Sequence, residues 1–403
     1  MKILFLTLLD INLDESGIYN DLICEFAKNH HQVTVLTATE NPLKKNTVLQ
    51  DKSVLLIRVY VGHYQKSGVI KKTLSLINME RLYIKNLVKN TSQLDYDLVL
   101  YSTPPITLAK TIRYLKTHSQ VKSYLLLKDI FPQNALDLGM LNRKGLKGLA
   151  YNYFKKKEAR LYELSDFIGC MSPANVKYLL ENNPDLVDKV VEVCPNTLTP
   201  LPQKKLDRSS IERIREHYHL PKDTVIFLYG GNLGKPQGIP FIIDCLKQHE
   251  IKPKGHILIV GSGTEYSKLK KYFDDQLPKH ATLIESLKKE AYDKLVSACD
   301  VGLIFLDHRF TIPNFPSRLL SYMQASLPVL AATDTHTDIG HIIQIGAFGD
   351  GCESKDPKIY VEKMNQFLDK STRLNMGQNA RRYLEENYTS KHAYEIIMKH
   401  FKD

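Results

Sequence analysis

Apolar runs of strand length alternate with longer amphipathic segments of helix length along almost the whole chain, and that alternation confines it to parallel strands joined by crossover helices. The strand-sized runs are "KILFLTL", "QVTVLTA", "SVLLIRV", "DLVLYST", "KSYLLLK", "DFIGCMS" and "VVEVCPN". Between them the spacing predicts helices near 17–29, 70–90, 104–117, 144–163 and 173–182, with Asn or Pro at several boundaries. Together these describe one complete doubly wound α/β domain. The pattern breaks at "CPNTLTPLPQKKLD", where Pro195, Pro200 and Pro202 remove backbone donors, and a linker is expected there. It then resumes with "TVIFLYGG", "HILIVGSG", "ATLIES", "VGLIFLD" and "LPVLAAT", separated by helices near 238–248, 263–276, 288–298 and 317–325. From Asp356 onward the chain reads as helical.

A length of 403 residues suits two such domains of about 200 each. No stretch approaches the ~18 to 20 apolar residues needed to span a bilayer, so an integral membrane protein is not expected. "MKILFLTLLDINLDE" reads as a first buried strand rather than a secretory signal: its apolar run is short, acids follow at once and no small-residue cleavage site appears. Cys24, Cys170, Cys194, Cys245, Cys299 and Cys352 are scattered without a Cys-x-x-Cys pair, which fits reduced cytosolic thiols and not a structural zinc.

The net charge of +11 is unevenly spread. From Pro42 to Leu164 there are 22 Lys and Arg against 8 Asp and Glu, a net of +14, so the remainder is slightly acidic. A basic half implies an anionic partner on one face. Two of its segments, "YQKSGVIKKTLSLINMERLYIKNLVKN" and "RKGLKGLAYNYFKKKEARLY", interleave cations with Leu, Ile, Tyr and Phe as an interfacial helix does, although a solvated basic face has the same composition. No nucleic-acid motif accompanies them, so an anionic membrane surface is the expected partner and nucleic acid is not.

In open parallel sheets ligands bind beyond the carboxyl ends of the strands. After "TVIFLY" comes "GGNLGKPQGIP", where Gly230, Gly231, Gly234 and Gly238 allow close backbone approach and Lys235 adds a cation before a helix. Such a loop is either an anion cradle or a tight strand-to-helix turn, and it lacks the Gly-Lys-Ser/Thr ending of a Walker A loop. Ser262 and Gly263 follow the next strand in the same way. "NFPSRLL" sets Pro316 and Ser317 as a helix start with Arg318 in the first turn. A cation there opposes the helix dipole, and either an anionic ligand or a remote carboxylate would compensate it. In the first domain Gly17, at a helix start, and Asp129, at a strand's carboxyl end, point to one cleft. Asp129 is readable as a helix cap, or as an acceptor-binding or basic group. His30 and His31 read as loop residues.

Taken in order, these segments resemble bacterial glycosyltransferase family 4, the retaining group with the GT-B fold. "SGIYNDLICEFAKNHHQVTVLTA" is similar to the family's Gly-containing start and its G-H-x-V-x-V-L-T strand, with Ser16 at one of the usual paired glycines. "KDIFPQNALDLGM" resembles the D-L-W-P-E-S segment of the O-antigen and colanic-acid branch. "YGGNLGKPQGI" resembles that branch's Y-x-G-N-x-G-x-x-Q-G, "IVGSGTEYSKL" its G-x-G-x-x-x-x-x-L, and "PSRLLSYMQASLPVLA" its P-S-K-x-x-E-Y-M-A-A-G-x-P-V.

The resemblance implies two Rossmann-like domains facing a cleft: an acceptor domain at 1–198, a nucleotide-sugar domain at 199–380 and a C-terminal helix at 381–403 that packs back on the first. It implies transfer of a sugar, an N-acetylated hexosamine or fucosamine, from a UDP-sugar to a polyprenyl-diphosphate-linked saccharide for capsule or O-antigen. The enzyme would be cytoplasmic and peripheral on the inner face of the plasma membrane, without cofactor or metal. Donor contacts would come from Gly17, Gly231, Asn232, Lys235, Gln237, Gly238, Ser262, Gly263, Ser286, Pro316, Ser317, Arg318 and Ser321, and chemistry from Asp129, Lys235 and Arg318. The chain departs from the wider family where two glutamates stand eight positions apart, here Pro313 and Ser321. It departs again at Asn232 and Gln237, where the family's Arg and Lys contact the diphosphate. A non-hydrolysing UDP-sugar 2-epimerase and a non-catalytic nucleotide-binding partner subunit are the alternatives.

Overall fold

Runs of β-branched and leucine side chains with no polar alternation form strands that are buried on both faces, and these runs build two parallel sheets. The computed structural model describes residues 1–44, 47–51, 53–62, 69–91, 93–203 and 206–401, of which 69–77 as backbone only. The chain forms two compact units, Met1–Thr199 with Thr389–Asp403, and Pro200–Tyr388.

In the first unit the elements run β1 (Lys2–Thr7), α1 (Ile18–Lys28), β2 (Gln32–Thr39), β3 (Val48–Asp51), β4 (Val54–Tyr60), α2 (Val69–Asn90), β5 (Leu98–Thr103) and α3 (Ala109–His118). There follow β6 (Lys122–Leu127), α4 (Gln133–Asp137), α5 (Gly145–Leu164), β7 (Phe167–Cys170), α6 (Pro173–Asn182) and β8 (Val190–Val193). The sheet order is β3-β4-β2-β1-β5-β6-β7-β8, parallel except for β3, which pairs antiparallel with β4. Strand order reverses between β1 and β5, which opens a crevice at their carboxyl ends.

The second unit contains α7 (Arg208–His217), β9 (Ile226–Gly230), α8 (Ile239–Ile251), β10 (His256–Val260), α9 (Tyr266–Gln276), β11 (Ala281–Ile284), α10 (Lys289–Val296) and β12 (Val301–Phe305). It continues with α11 (Arg318–Gln324), β13 (Val329–Thr333), α12 (Ile339–Ile345), β14 (Gly349–Glu353), α13 (Pro357–Lys363) and α14 (Lys370–Asn387). Its order, β11-β10-β9-β12-β13-β14, is parallel throughout and reverses between β9 and β12. Phe227, Tyr229, Ile257, Ile259, Leu303 and Phe305 fill its core.

The last helix, α15 (Ser390–Met398), belongs to the first unit. Ala393 and Ile397 join the core formed by Phe5, Ile23, Phe26 and Val35. His31 lies in the loop before β2, as expected, and is buried, its Nε2 3.1 Å from the Tyr394 hydroxyl. Leu198 and Thr389 form a parallel bridge, with the Ser390 N–H donating to the Leu198 carbonyl at 3.0 Å.

The expected elements are present, with boundary differences that have local causes. α3 begins at Ala109 rather than 104: Pro105 disfavours helical conformation at Pro104, and Leu108 takes the N-cap position. The helical C-terminal stretch divides at Tyr388. Thr389 starts a new helix, its side chain accepting from the His392 N–H.

Candidate functional site

The glycine-rich loop after β9 lies at the second unit's topological switch point. Gly231 takes φ +129°, which favours glycine, and its N–H donates to the Val260 carbonyl at 2.9 Å. The loops after β9 and β10 are laced together: the Leu233 N–H donates to the Ser262 carbonyl, and the Glu265 N–H to the Leu233 carbonyl, both at 2.9 Å. Glycine is required at the crossing, since a Cβ on Gly261 would fall 1.9 Å from the Gly231 oxygen and one on Gly263 2.4 Å from the Leu233 oxygen. Gln237 is buried, and its Oε1 accepts from the Gly234 N–H at 3.0 Å and from Asn232 Nδ2 at 3.2 Å. Gln237 therefore shapes the loop from inside, while Lys235, opening the 3-10 turn Lys235–Gln237, is exposed. Gly238 then leads into α8.

Arg318 meets this loop from α11. Its guanidinium carbon stands 4.2 Å from the centroid of the Tyr229 ring, a cation–π geometry. A Cβ on Gly231 would lie 3.4 Å from the guanidinium. Arg318 Nη1 is buried and has no hydrogen-bond partner. An unmatched buried donor on a cation is costly, and an anion beside it removes that cost. The supporting groups are tyrosines. The Tyr229 hydroxyl donates to the Asn232 carbonyl at 2.7 Å, tying the loop to the ring that carries the guanidinium. The Tyr322 hydroxyl accepts from the Gly230 N–H at 3.1 Å and lies 3.0 Å from the Leu303 carbonyl, fixing α11 to β9 and β12. Tyr292 occupies the space beside Gly230 where a Cβ would otherwise sit.

Of the residues expected from sequence, the structure brings together Gly231, Asn232, Gln237, Ser262, Gly263 and Arg318. Pro316 and Ser317 precede α11, and Ser317 makes no side-chain cap bond. Ser321 is half-buried on α11, and Ser286 is exposed after β11. Arg309 is spoken for: it donates to both oxygens of Asp307, at 2.8 and 2.7 Å. The Asp307 N–H in turn donates to the Pro236 carbonyl at 2.9 Å, bracing the glycine loop from the β12 side. The sequence reasoning missed Tyr229, Tyr322 and Tyr292. The signal for the first was a tyrosine, with its polar tip, at the very end of the buried run "IFLY".

In the first unit Gly17 caps α1 with extended backbone, and its N–H is already bonded to the Asp21 carboxylate at 3.0 Å. Asp21 also accepts from the Ser16 hydroxyl at 3.1 Å and the Thr199 N–H at 2.6 Å. Asp129 follows β6, and its Oδ1 accepts from Asn134 Nδ2 at 2.7 Å. It caps no helix, because Pro132 holds that position for α4. Burial pushes the Asp129 carboxyl up to about 6 against the pull of the Asn134 and Ile130 hydrogen bonds, with the Glu158 charge adding to the rise. Glu158 itself is buried under α5, bonded by Lys155 at 2.6 Å and the Tyr162 hydroxyl at 2.8 Å, and burial raises it. Lys128, beside Asp129 in sequence, donates to the Cys194 carbonyl at 3.0 Å, and burial lowers its ammonium to about 8. A carboxyl poised near neutrality suits proton handling or a switchable hydrogen bond.

Among the described residues no helix is long and apolar enough to cross a membrane, and no three His, Cys, Asp or Glu side chains are grouped to hold a metal ion. Part of the basic segment beginning at Tyr64 lies outside the described residues.

Residues 210–383 match the family described as "Glycosyl transferases group 1". The chain is 25% identical over 306 residues to "Probable glycosyltransferase WbjE" of Pseudomonas aeruginosa, covering 73% of this chain and 71% of that one. Among solved structures, sucrose-phosphate synthase from Thermosynechococcus elongatus superposes with a TM-score of 0.74 at 15% identity, over 99% of this chain and 98% of that one. Anabaena HepE in complex with UDP and glucose does so with 0.66 at 16% identity, over 100% and 99%. The fold is that of the GT-B glycosyltransferases, two Rossmann-like bodies. The group 1 domain and the glycosyltransferase relative together make the chain a transferase enzyme.

Proposed function

We propose that this chain is a retaining glycosyltransferase that moves a sugar from a UDP-sugar to a polyprenyl-diphosphate-linked saccharide in capsule or O-antigen assembly. The observation that carries the donor half is Arg318, a guanidinium stacked on Tyr229 against the glycine loop with a buried, unpartnered Nη1. A diphosphate fits that arrangement: it is anionic, it offers acceptors to guanidinium and backbone N–H groups alike, and glycines let it approach. HepE was crystallised with UDP, which supports the same choice.

In the proposed step the bond between the anomeric carbon and the β-phosphate oxygen breaks, and its electron pair leaves on the diphosphate. Arg318, Lys235 and loop N–H groups neutralise that charge, in the place a metal takes in other transferases. The acceptor oxygen bonds to the anomeric carbon on the face just vacated, and its proton passes to the departing phosphate oxygen. Asp129 is assigned to the acceptor hydroxyl, which an ionised carboxylate orients by accepting its hydrogen bond. Ser321 stands at the ribose with a neutral hydroxyl. An N-acetylated hexosamine or fucosamine as the transferred sugar rests on the likeness of "KDIFPQNALDLGM" and "YGGNLGKPQGI" to the O-antigen branch. A lipid-linked acceptor places the work on the inner face of the plasma membrane, reached from the cytoplasm.

Pro313 and Ser321, which carry no carboxylate, favour a second reading as a nucleotide-binding partner subunit. Purified protein mixed with a panel of UDP-sugars and a lipid-linked acceptor separates the two. Acceptor-dependent UDP release supports the transferase, whereas nucleotide binding without turnover supports the subunit. Epimerised donor in the absence of acceptor would overturn both.

A further inference from the structure

α5 opens with an apolar stripe on its outer face. Leu146 is 86% exposed, Leu149 67% and Tyr153 45%. Their spacing of three and four residues places them on one side of the helix. Met140, also exposed, precedes them. The helix does not need these side chains for its own packing. Its inner face is filled by Gly148, Glu158, Leu161 and Tyr162. Gly148 lies so close to the preceding turn that a Cβ would come within 2.6 Å of the Arg143 carbonyl carbon. The Tyr151 hydroxyl, 3.0 Å from Gln133 Oε1, joins α5 to α4.

Cations surround the stripe. From Leu138 to Lys157 there are six Lys and Arg and no Asp or Glu. Arg143, Lys144, Lys147 and Lys156 are exposed, while Lys155 is paired with Glu158 at 2.6 Å and the Lys157 ammonium lies 5.6 Å over the Tyr153 ring. Two copies of the chain meeting through this face would set like charges against each other, and an acidic protein surface would leave the leucines without a function. An anionic bilayer uses both: leucine and tyrosine enter the acyl boundary while lysine stems run along the apolar surface and put their ammonium groups among phosphates.

We propose that the first two turns of α5, around Leu146, Leu149 and Tyr153, are the element by which this chain docks on an anionic membrane surface. The docking deepens the reading of a lipid-linked acceptor but is tested apart from it. Full-length protein is sedimented with vesicles of phosphatidylcholine alone and of phosphatidylcholine mixed with phosphatidylglycerol, at low and high salt, alongside the Leu146→Ser/Leu149→Ser and Lys144→Gln/Lys147→Gln/Lys156→Gln variants. The wild type is expected to sediment with the mixed vesicles at low salt and to be released by salt. The lysine variant should lose about fivefold in partitioning per lysine removed. The leucine variant should lose about tenfold or more. Equal binding to both vesicle types, no response to salt, or unchanged binding by the leucine variant would overturn the proposal, as would a stable dimer that the leucine variant splits. UDP binding measured on the same samples keeps the outcomes separate: loss of vesicle binding with UDP binding intact bears on docking alone, and loss of UDP binding by the wild type bears on the transferase reading alone.

Discussion

Replacing Asp129 by Asn is expected to stabilise the first unit while impairing transfer. Folding pushes the carboxyl from 3.8 up to about 6, through burial first and the Glu158 charge in addition, against the Asn134 and Ile130 hydrogen bonds. An acid whose pKa is raised on folding holds its proton more tightly in the folded state. Its ionised form therefore costs stability above about pH 6, and the cost fades as the pH falls towards 3.8. A displacement of about two pH units corresponds to about 3 kcal/mol at ~1.4 kcal/mol per unit, and partial exposure of the site reduces this to about 1–2 kcal/mol. Asn keeps an oxygen for the Asn134 amide and removes the charge. Urea unfolding followed by tyrosine fluorescence and circular dichroism, at about pH 7.5 and about pH 4, reads the difference directly. The variant should be more stable by about 1–2 kcal/mol at the higher pH and no more stable than the wild type at the lower. A variant that is less stable at both, or equally more stable at both, would refute the argument that a buried charge is maintained here. Acceptor-dependent UDP release by the variant should fall, because a neutral amide oxygen accepts the acceptor hydroxyl's hydrogen bond more weakly than a carboxylate does.

Arg318→Ala should weaken UDP binding by about tenfold to a hundredfold, the ~1.5–3 kcal/mol of a charged hydrogen bond, in a calorimetric titration; a change below about twofold counts against its phosphate role. Tyr229→Phe keeps the ring under the guanidinium but loses the bond to the Asn232 carbonyl, so stability should drop by about 1 kcal/mol and UDP affinity by less than in Arg318→Ala. Gly261→Ala places a Cβ 1.9 Å from the Gly231 oxygen, so the second unit should unfold at lower denaturant and bind UDP weakly. Burial lowers His249 and His256 from 6.5 to about 4, so the folded second unit resists protonation that the unfolded chain accepts. Stability should therefore fall as pH drops from about 6.5 to about 4, and His256→Gln should flatten that slope.

Both sheets were readable because their strands are buried on both faces and appear as uninterrupted apolar runs. β14 was not, since "GDGCE" has two glycines and two acids. It pairs with β13 nonetheless, and Lys363 and Gln366, a dozen or more residues away, neutralise and bond Asp350. β3, short and exposed at a sheet edge, lacks an apolar face to betray it. At the site the glycines after β9 and Gly263 were legible from their place after strand ends, whereas Gly261, where a Cβ would fall 1.9 Å from the Gly231 oxygen, passed as the end of a strand run. The part of Arg318 that matters was hidden: that its guanidinium lies on Tyr229 depends on side chains 89 positions apart meeting across the switch point. Gln237, expected as a ligand contact, turned inward because a loop of four glycines has few side chains with which to hold its own shape.

The bridge between Leu198 and Thr389 has a consequence for how such a chain is inherited. The chain leaves the first unit and re-enters it at neighbouring points, so that Pro200–Tyr388 is topologically a cassette set into a host that is complete without it. Closing the host across so narrow a gap takes a tether of a few residues and little loop entropy. Recombination at those two points would exchange the second unit as one piece and leave intact the α5 stripe, Asp129 and the C-terminal helix. New specificities carried by the second unit would then arise by replacing a module instead of rebuilding a fold.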